Sequence, residues 1–208
     1  MSSVHNVYMG DRKKQKRVAV FVDGSNLYFK FRTLMPHKMD FVHYRYRELI
    51  QSVLNSDETI ISIGYYIGVV RDTKKSKNHQ KALELVKNQQ RLFEQLRRQN
   101  IDIVKGYLLE RDGKFFEKGV DVRLAIDIVA GAFDKTYDVA FVVSSDTDLI
   151  PAIQKAMGYK KEIVHIGFEH QPSLALIRYS SRSQLIRRTD AEKFTAKPLK
   201  IRRFDQNL

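Results

Sequence analysis

The chain has no cysteine, which removes disulfides, thiol nucleophiles and cysteine-based zinc sites together. A reducing interior suits such a sequence. No apolar run reaches the roughly 18 residues needed to span a bilayer, and the opening segment MSSVHNVYMGDRKKQKR lacks the apolar core of a secretory signal. The expectation is a soluble, cytoplasmic protein without a membrane partner. The six histidines, His5, His37, His43, His79, His165 and His170, form no HxxxH pair, so a zinc hydrolase is poorly supported; His165 falls within a strand and reads as structural. The glycine motifs of P-loops and dinucleotide-binding folds are missing as well.

Positive charge is in excess. Lysine and arginine number 37 against 24 acids, for a net charge of +13 and a pI near 9.8. This balance favours a polyanionic partner, nucleic acid before membrane, because no basic amphipathic stretch carries a wide, clean apolar face. At 208 residues the chain suits one domain with a real core. Residues 1–17 form a basic N-terminal arm, 18–196 the domain, and 197–208 a basic tail.

Along the domain, strands and helices alternate. Val18 opens a short buried strand, VAVFVD, followed by a helix with Tyr28, Phe29 and Phe31 and another from His43 to Leu54. Residues 58–70 are β-branched and aromatic, as in a second strand. RDTKKSKNHQK, residues 71–81, is a polar basic loop, and 82–98 an amphipathic helix. A third strand covers 101–109, a largely apolar helix starts at Gly119, and a fourth strand covers 138–144. A helix over 149–157, a fifth strand over 161–167 and a last helix over 173–186 complete the series. Phe115 and Phe116 sit in an otherwise polar turn, available to the same chain or to a second copy in a homodimer. The alternation implies an α/β fold with a mainly parallel sheet covered on both faces.

In such sheets ligands gather beyond the carboxyl ends of the strands, and acidic motifs fall there. FVDGSN ends the first strand at Asp23, and SSDTDL places Asp146 and Asp148 just past the fourth. KGVD places Asp121 near the first turn of its helix. Each aspartate alone reads as a helix cap or first-turn acid. Together they can converge on one crevice, where two carboxylates about 5 Å apart repel by roughly 3 kcal/mol at an effective dielectric of about 20. A divalent cation relieves this, and an oxygen-only ligand set suits Mg²⁺ or Mn²⁺ better than zinc. Such a crevice on a basic protein points to phosphodiester hydrolysis by metal-activated water. Ser25, Ser144 and Ser145 are placed to orient water or a ligand, although serine beside a turn is commonly a cap.

The three motifs FVDGSN, KGVDVRLAIDIV and FVVSSDTDLIPAI, in this order, resemble the NYN domain, the LabA-like branch of the PIN-like nucleases. The resemblance runs from Val18 to the region of Phe194. It implies a three-layer α/β sandwich, Rossmann-like, and a metal-dependent ribonuclease. Carried over by motif, Asp23, Asp121, Asp146 and Asp148 are the catalytic metal ligands, with Asn26 and Ser144 supporting them. Asp127 also matches a family aspartate; lying about 120° around the helix from Asp121, it reads as a supporting residue or a core ion-pair partner. Ser145 stands where family members often have glycine.

Two alternatives are open. A haloacid-dehalogenase-type phosphatase needs an acid two residues after the first, where this chain has Ser25. An RNA-binding or regulatory module with the same fold and little chemistry fits the sequence better. For holding a strand of RNA, the expected cations are Lys74, Lys75 and Lys77 in the basic loop and Arg182, Arg187 and Arg188 near the end of the domain, with Tyr179 available to stack a base.

Overall fold

The computed structural model describes residues 14–35, 40–70, 79–111 and 114–195. Its elements are β1 (Lys16–Asp23), α1 (Gly24–Leu34), α2 (Tyr46–Gln51), β2 (Glu58–Val70), α3 (His79–Arg98), β3 (Asp102–Arg111), β4 (Lys114–Lys118), α4 (Val120–Phe133), β5 (Val139–Val143), a 3-10 turn (Thr147–Leu149), α5 (Ile150–Gly158), β6 (Glu162–Phe168), α6 (Leu174–Tyr179), β7 (Arg182–Ile186) and α7 (Arg188–Glu192). Among the described residues no helix is long and apolar enough to cross a membrane.

Side-chain alternation builds the layers. On β1, Val18, Val20 and Val22 enter one apolar cluster and Ala19 and Phe21 the other. On β5, Val139, Phe141 and Val143 divide in the same way from Ala140 and Val142. A strand buried on both faces needs helices on both sides. One side is covered by α1, α2 and α3 through Leu27, Phe31, Leu49, Phe93 and Leu96. The other is covered by α4, α5 and α6 through Leu124, Ile128, Ile153 and Leu176. The result is a three-layer α/β sandwich.

The sheet order is β4-β3-β2-β1-β5-β6-β7. All pairs are parallel except β3 with β4. Successive strands step outward from β1 through β2 and β3, and β5 then begins on the other side of β1. The reversal point lies between β1 and β5, where their carboxyl ends leave a crevice.

Several sequence expectations need correction. Residues 114–118 are not a turn: they pair antiparallel with β3, Tyr107 opposite Lys118 and Arg111 opposite Lys114, leaving Phe116 on an exposed edge strand. The expected last helix over 173–186 is a short helix, α6, followed by β7, which extends the sheet beyond β6. The second helix is confined to α2. β1 starts at Lys16, two residues before the expected Val18: Lys16 and Arg17 pair with Glu58 and Thr59 of β2, and Arg17 is tied to Asp138 by backbone and guanidinium hydrogen bonds.

Candidate metal and nucleic-acid site

At the end of β1, Asp23 caps α1. Its Oδ1 accepts the Asn26 amide at 2.9 Å, and its Oδ2 accepts the Ser144 hydroxyl at 2.9 Å. The carboxylate is only 4% exposed. Gly24 makes this position possible: a Cβ there would lie 2.3 Å from the Tyr65 ring and 2.8 Å from the Tyr66 carbonyl oxygen, so no larger residue lets α1 begin this close to β2.

Ser144, just past β5, joins the two sides of the crevice. Besides donating to Asp23, its hydroxyl accepts the Asp146 amide at 3.1 Å. Asp146 caps the 3-10 turn through the Asp148 amide, at 2.9 Å. Across the gap, the Ser145 amide donates to Asn26 Oδ1 at 3.1 Å. Behind them, the buried His165 donates from Nε2 to the Ser144 carbonyl at 3.0 Å, since a carbonyl can only accept. Asp121 arrives from the third side, in the first turn of α4. Its entry is set by Gly119, whose φ of +77° is a left-handed conformation that favours glycine.

The electrostatics connect these acids. Burial pushes the Asp23 carboxyl up to about 6, with Asp121 and Glu117 raising it further against the hydrogen bonds of Asn26 and Ser144. Burial also raises Asp121, and Asp146 and Asp148 add to the effect. The acids of β1, α4 and the turn after β5 thus act on one another with like charge. Among the described residues no three His, Asp or Glu side chains stand ready to enclose a metal. The oxygen-only donor set nevertheless fits a hydrated Mg²⁺ or Mn²⁺, which is commonly held by one or two carboxylates with water completing its shell.

Residues 17–186 match the sequence profile of the NYN domain. The chain belongs to the NYN family. NYN domains are part of the PIN-like nuclease superfamily, so RNA is the class of substrate that the family carries. A solved structure of a protein of unknown function from Vibrio parahaemolyticus matches at 20% identity with a TM-score of 0.63, covering 90% of this chain and 100% of that one; that likeness concerns the fold. No curated protein matches the chain.

In this NYN domain Asp127 is held by Tyr66 and Arg123. It accepts from the Tyr66 hydroxyl at 3.0 Å and from Arg123 Nε at 2.9 Å, the ion-pair role that its helical angle suggests. Arg182 has partners on two other strands. It lies at the amino end of β7, opposite the crevice, with Nε 2.9 Å from Glu162 and a terminal nitrogen 2.5 Å from the fully buried Glu58 carboxylate. Lys16 adds a further ion pair to Glu162 at 2.9 Å. The guanidinium thus bridges two carboxylates. Arg187 and Arg188 follow β7 at the carboxyl end of the sheet, exposed and in surface pairs with Glu169 and Glu192, which cost little to give up. Lys74, Lys75 and Lys77 lie outside the described residues.

Sequence reasoning missed Glu117. It projects from β4, and its Oε2 accepts the Ser25 hydroxyl at 2.6 Å and the Gly68 amide at 3.2 Å, bringing a further carboxylate to the neighbourhood of Asp23. The signal was the Asp112-Gly113 dipeptide between two runs of strand-forming residues, a hairpin pattern. Reading the segment as a turn hid it.

Proposed function

We propose that this NYN domain is a Mg²⁺- or Mn²⁺-dependent ribonuclease that hydrolyses phosphodiester bonds at the crevice between β1 and β5. The observation that carries the reading is the gathering of acids at the reversal point of a parallel sheet, where the charge of Asp121 acts on Asp23 and those of Asp146 and Asp148 act on Asp121, on a chain of net charge +13. These four aspartates would hold the ion, which supplies activated water and stabilisation of the leaving oxygen when bound.

The residues around them preorganise the acids. Asn26 and Ser144 fix both oxygens of Asp23. The Ser145–Asn26 hydrogen bond holds the turn after β5 against the start of α1, and His165 steadies Ser144 from behind. Because Asp23 is nearly closed to solvent, its charge is undiluted by water, and a cation binding beside it is correspondingly favoured.

The test is incubation of labelled single-stranded RNA with the protein in Mn²⁺ or in chelator. The expected result is cleavage in Mn²⁺ alone, reduced at least 100-fold in Asp146→Asn, the scale expected when a group that stabilises transition-state charge is lost. Equal RNA binding by both proteins with no cutting by either would support the alternative, a binding or regulatory module.

A further inference from the structure

A cleft of about 380 Å³ opens beside the acids, between α1 and α3. Gly24, Ser25 and Glu117 belong to its wall, so it is continuous with the crevice: Ser25 follows Asp23 by two residues and donates to Glu117, whose charge acts on Asp23. One side is aromatic. Tyr28 and Phe41 pack with centroids 4.8 Å apart and rings tilted by 54°, and Phe29, 5.6 Å from Tyr28, is 62% exposed. The opposite side offers the amides of Asn88 and Gln89. Gln89 spends its Nε2 on the Gly68 carbonyl at 2.7 Å, which leaves its oxygen as an acceptor.

The charge distribution selects the occupant. Of the described residues lining the cleft, only Glu117 is charged, and it is negative. Arg32 lies over the Tyr28 ring, 5.7 Å from its centroid, but among the described lining residues a phosphate would meet one carboxylate and no lysine or arginine. A flat, uncharged ring with hydrogen-bonding edges would meet aromatic faces on one side and amides on the other.

We propose that this cleft receives an unpaired nucleobase of the strand whose backbone lies on the acids. The proposal rests on the RNA reading above and goes beyond it: it assigns a base-binding subsite, for an unpaired base, to Tyr28, Phe29, Phe41 and Gln89. Aromatic stacking tolerates any base, so the selection is for an unpaired base rather than for a particular sequence. Base-paired strands are excluded because their bases are already stacked and paired.

The experiment measures affinity in Mn²⁺, in the Asp146→Asn background to prevent cutting, for a short single-stranded RNA, its fully abasic ribose-phosphate counterpart, and the same RNA in a duplex. The single strand is expected to bind about tenfold more tightly than the abasic one, the scale of base stacking on an aromatic side chain. That preference should fall at least fivefold in Phe29→Ala and be retained in Phe29→Tyr. Phe29 is exposed, so both variants keep the fold, and Mn²⁺ affinity should be equal in all three proteins. An equal preference for bases with and without the Phe29 ring overturns the proposal, as does binding of the duplex as tight as that of the single strand. A parallel cleavage assay on the wild type separates the two readings. A ring-dependent base preference without cleavage supports the cleft and sinks the nuclease; cleavage without that preference does the reverse. Failure of the wild type itself to bind any RNA overturns both.

Discussion

Asp23 is ionised at neutral pH only against its surroundings, since burial is the first cause holding its carboxyl up at about 6. A carboxylate whose folded pKa lies above its unfolded value favours the fold while protonated and opposes it once charged. The penalty is absent below about pH 4, grows between 4 and 6, and is complete above about 6. Its size is of order 3 kcal/mol. Without divalent ions, Asp23→Asn should therefore be more stable than the wild type at pH 8, by up to about that amount. The advantage should vanish at pH 4, as chemical denaturation in chelator at the two pH values would reveal; asparagine also keeps the cap of α1. Equal stabilities at pH 8 would contradict the burial argument. At the other end of the sheet, Arg182→Ala leaves Glu58 buried without its arginine, and breaking such a pair costs about 3–5 kcal/mol. The expected outcome is a destabilised protein whose RNA affinity, compared at a temperature where both are folded, is unchanged. Residues such as Asp23 and Asp146 were legible in the sequence because each ends an apolar strand and begins a helix or turn, a purely local pattern. The ion pairs of Arg182 were not legible because Glu58 and Glu162 are distant in sequence and only the sheet order brings them together.

Among the elements, α1 is positioned most narrowly. Gly24 sits where a methyl group meets the Tyr65 ring and the Tyr66 carbonyl, so Gly24→Ala must displace α1 from β2. Overpacking of this kind typically costs about 1–3 kcal/mol. Because the displaced cap carries Asp23, Mn²⁺ affinity measured by calorimetry should fall together with stability; a destabilised variant with unchanged affinity would uncouple α1 from the site. The strands β1 and β5 were legible since both faces of each are buried, giving nearly continuous apolar runs. The edge strands were not. β4 is five residues, KFFEK, and β7 is RSQLI; each mixes charged or polar side chains with apolar ones over a length too short to separate the strand period from the helical one. Edge strands carry polar residues because one side faces solvent. The loss of β4 from the reading also removed Glu117, and with it the residue that links the crevice to the aromatic cleft.

For the whole molecule, a net charge of +13 predicts RNA binding that weakens steeply with salt. Each phosphate neutralised on a single strand contributes about 0.7 to the slope of log affinity against log salt. Replacing Arg187 and Arg188 together by glutamine should lower that slope by up to about 1.4, with Mn²⁺ affinity unaltered. Neutralising Lys74, Lys75 and Lys77 should lower it by up to about 2. An unchanged slope in either variant would remove that segment from the footprint. On this proposal charge and topology serve different ends: the basic excess would draw in the polyanion, and the reversal of strand order between β1 and β5 would set where on the sheet the acids meet it. The central claim is that Asp23, Asp121, Asp146 and Asp148 share a divalent cation. Anomalous diffraction from a crystal soaked in Mn²⁺ tests this most directly. The account predicts a manganese peak in the crevice between β1 and β5, bonded to at least two of these carboxylates, whereas a soaked crystal with no manganese among them would contradict it.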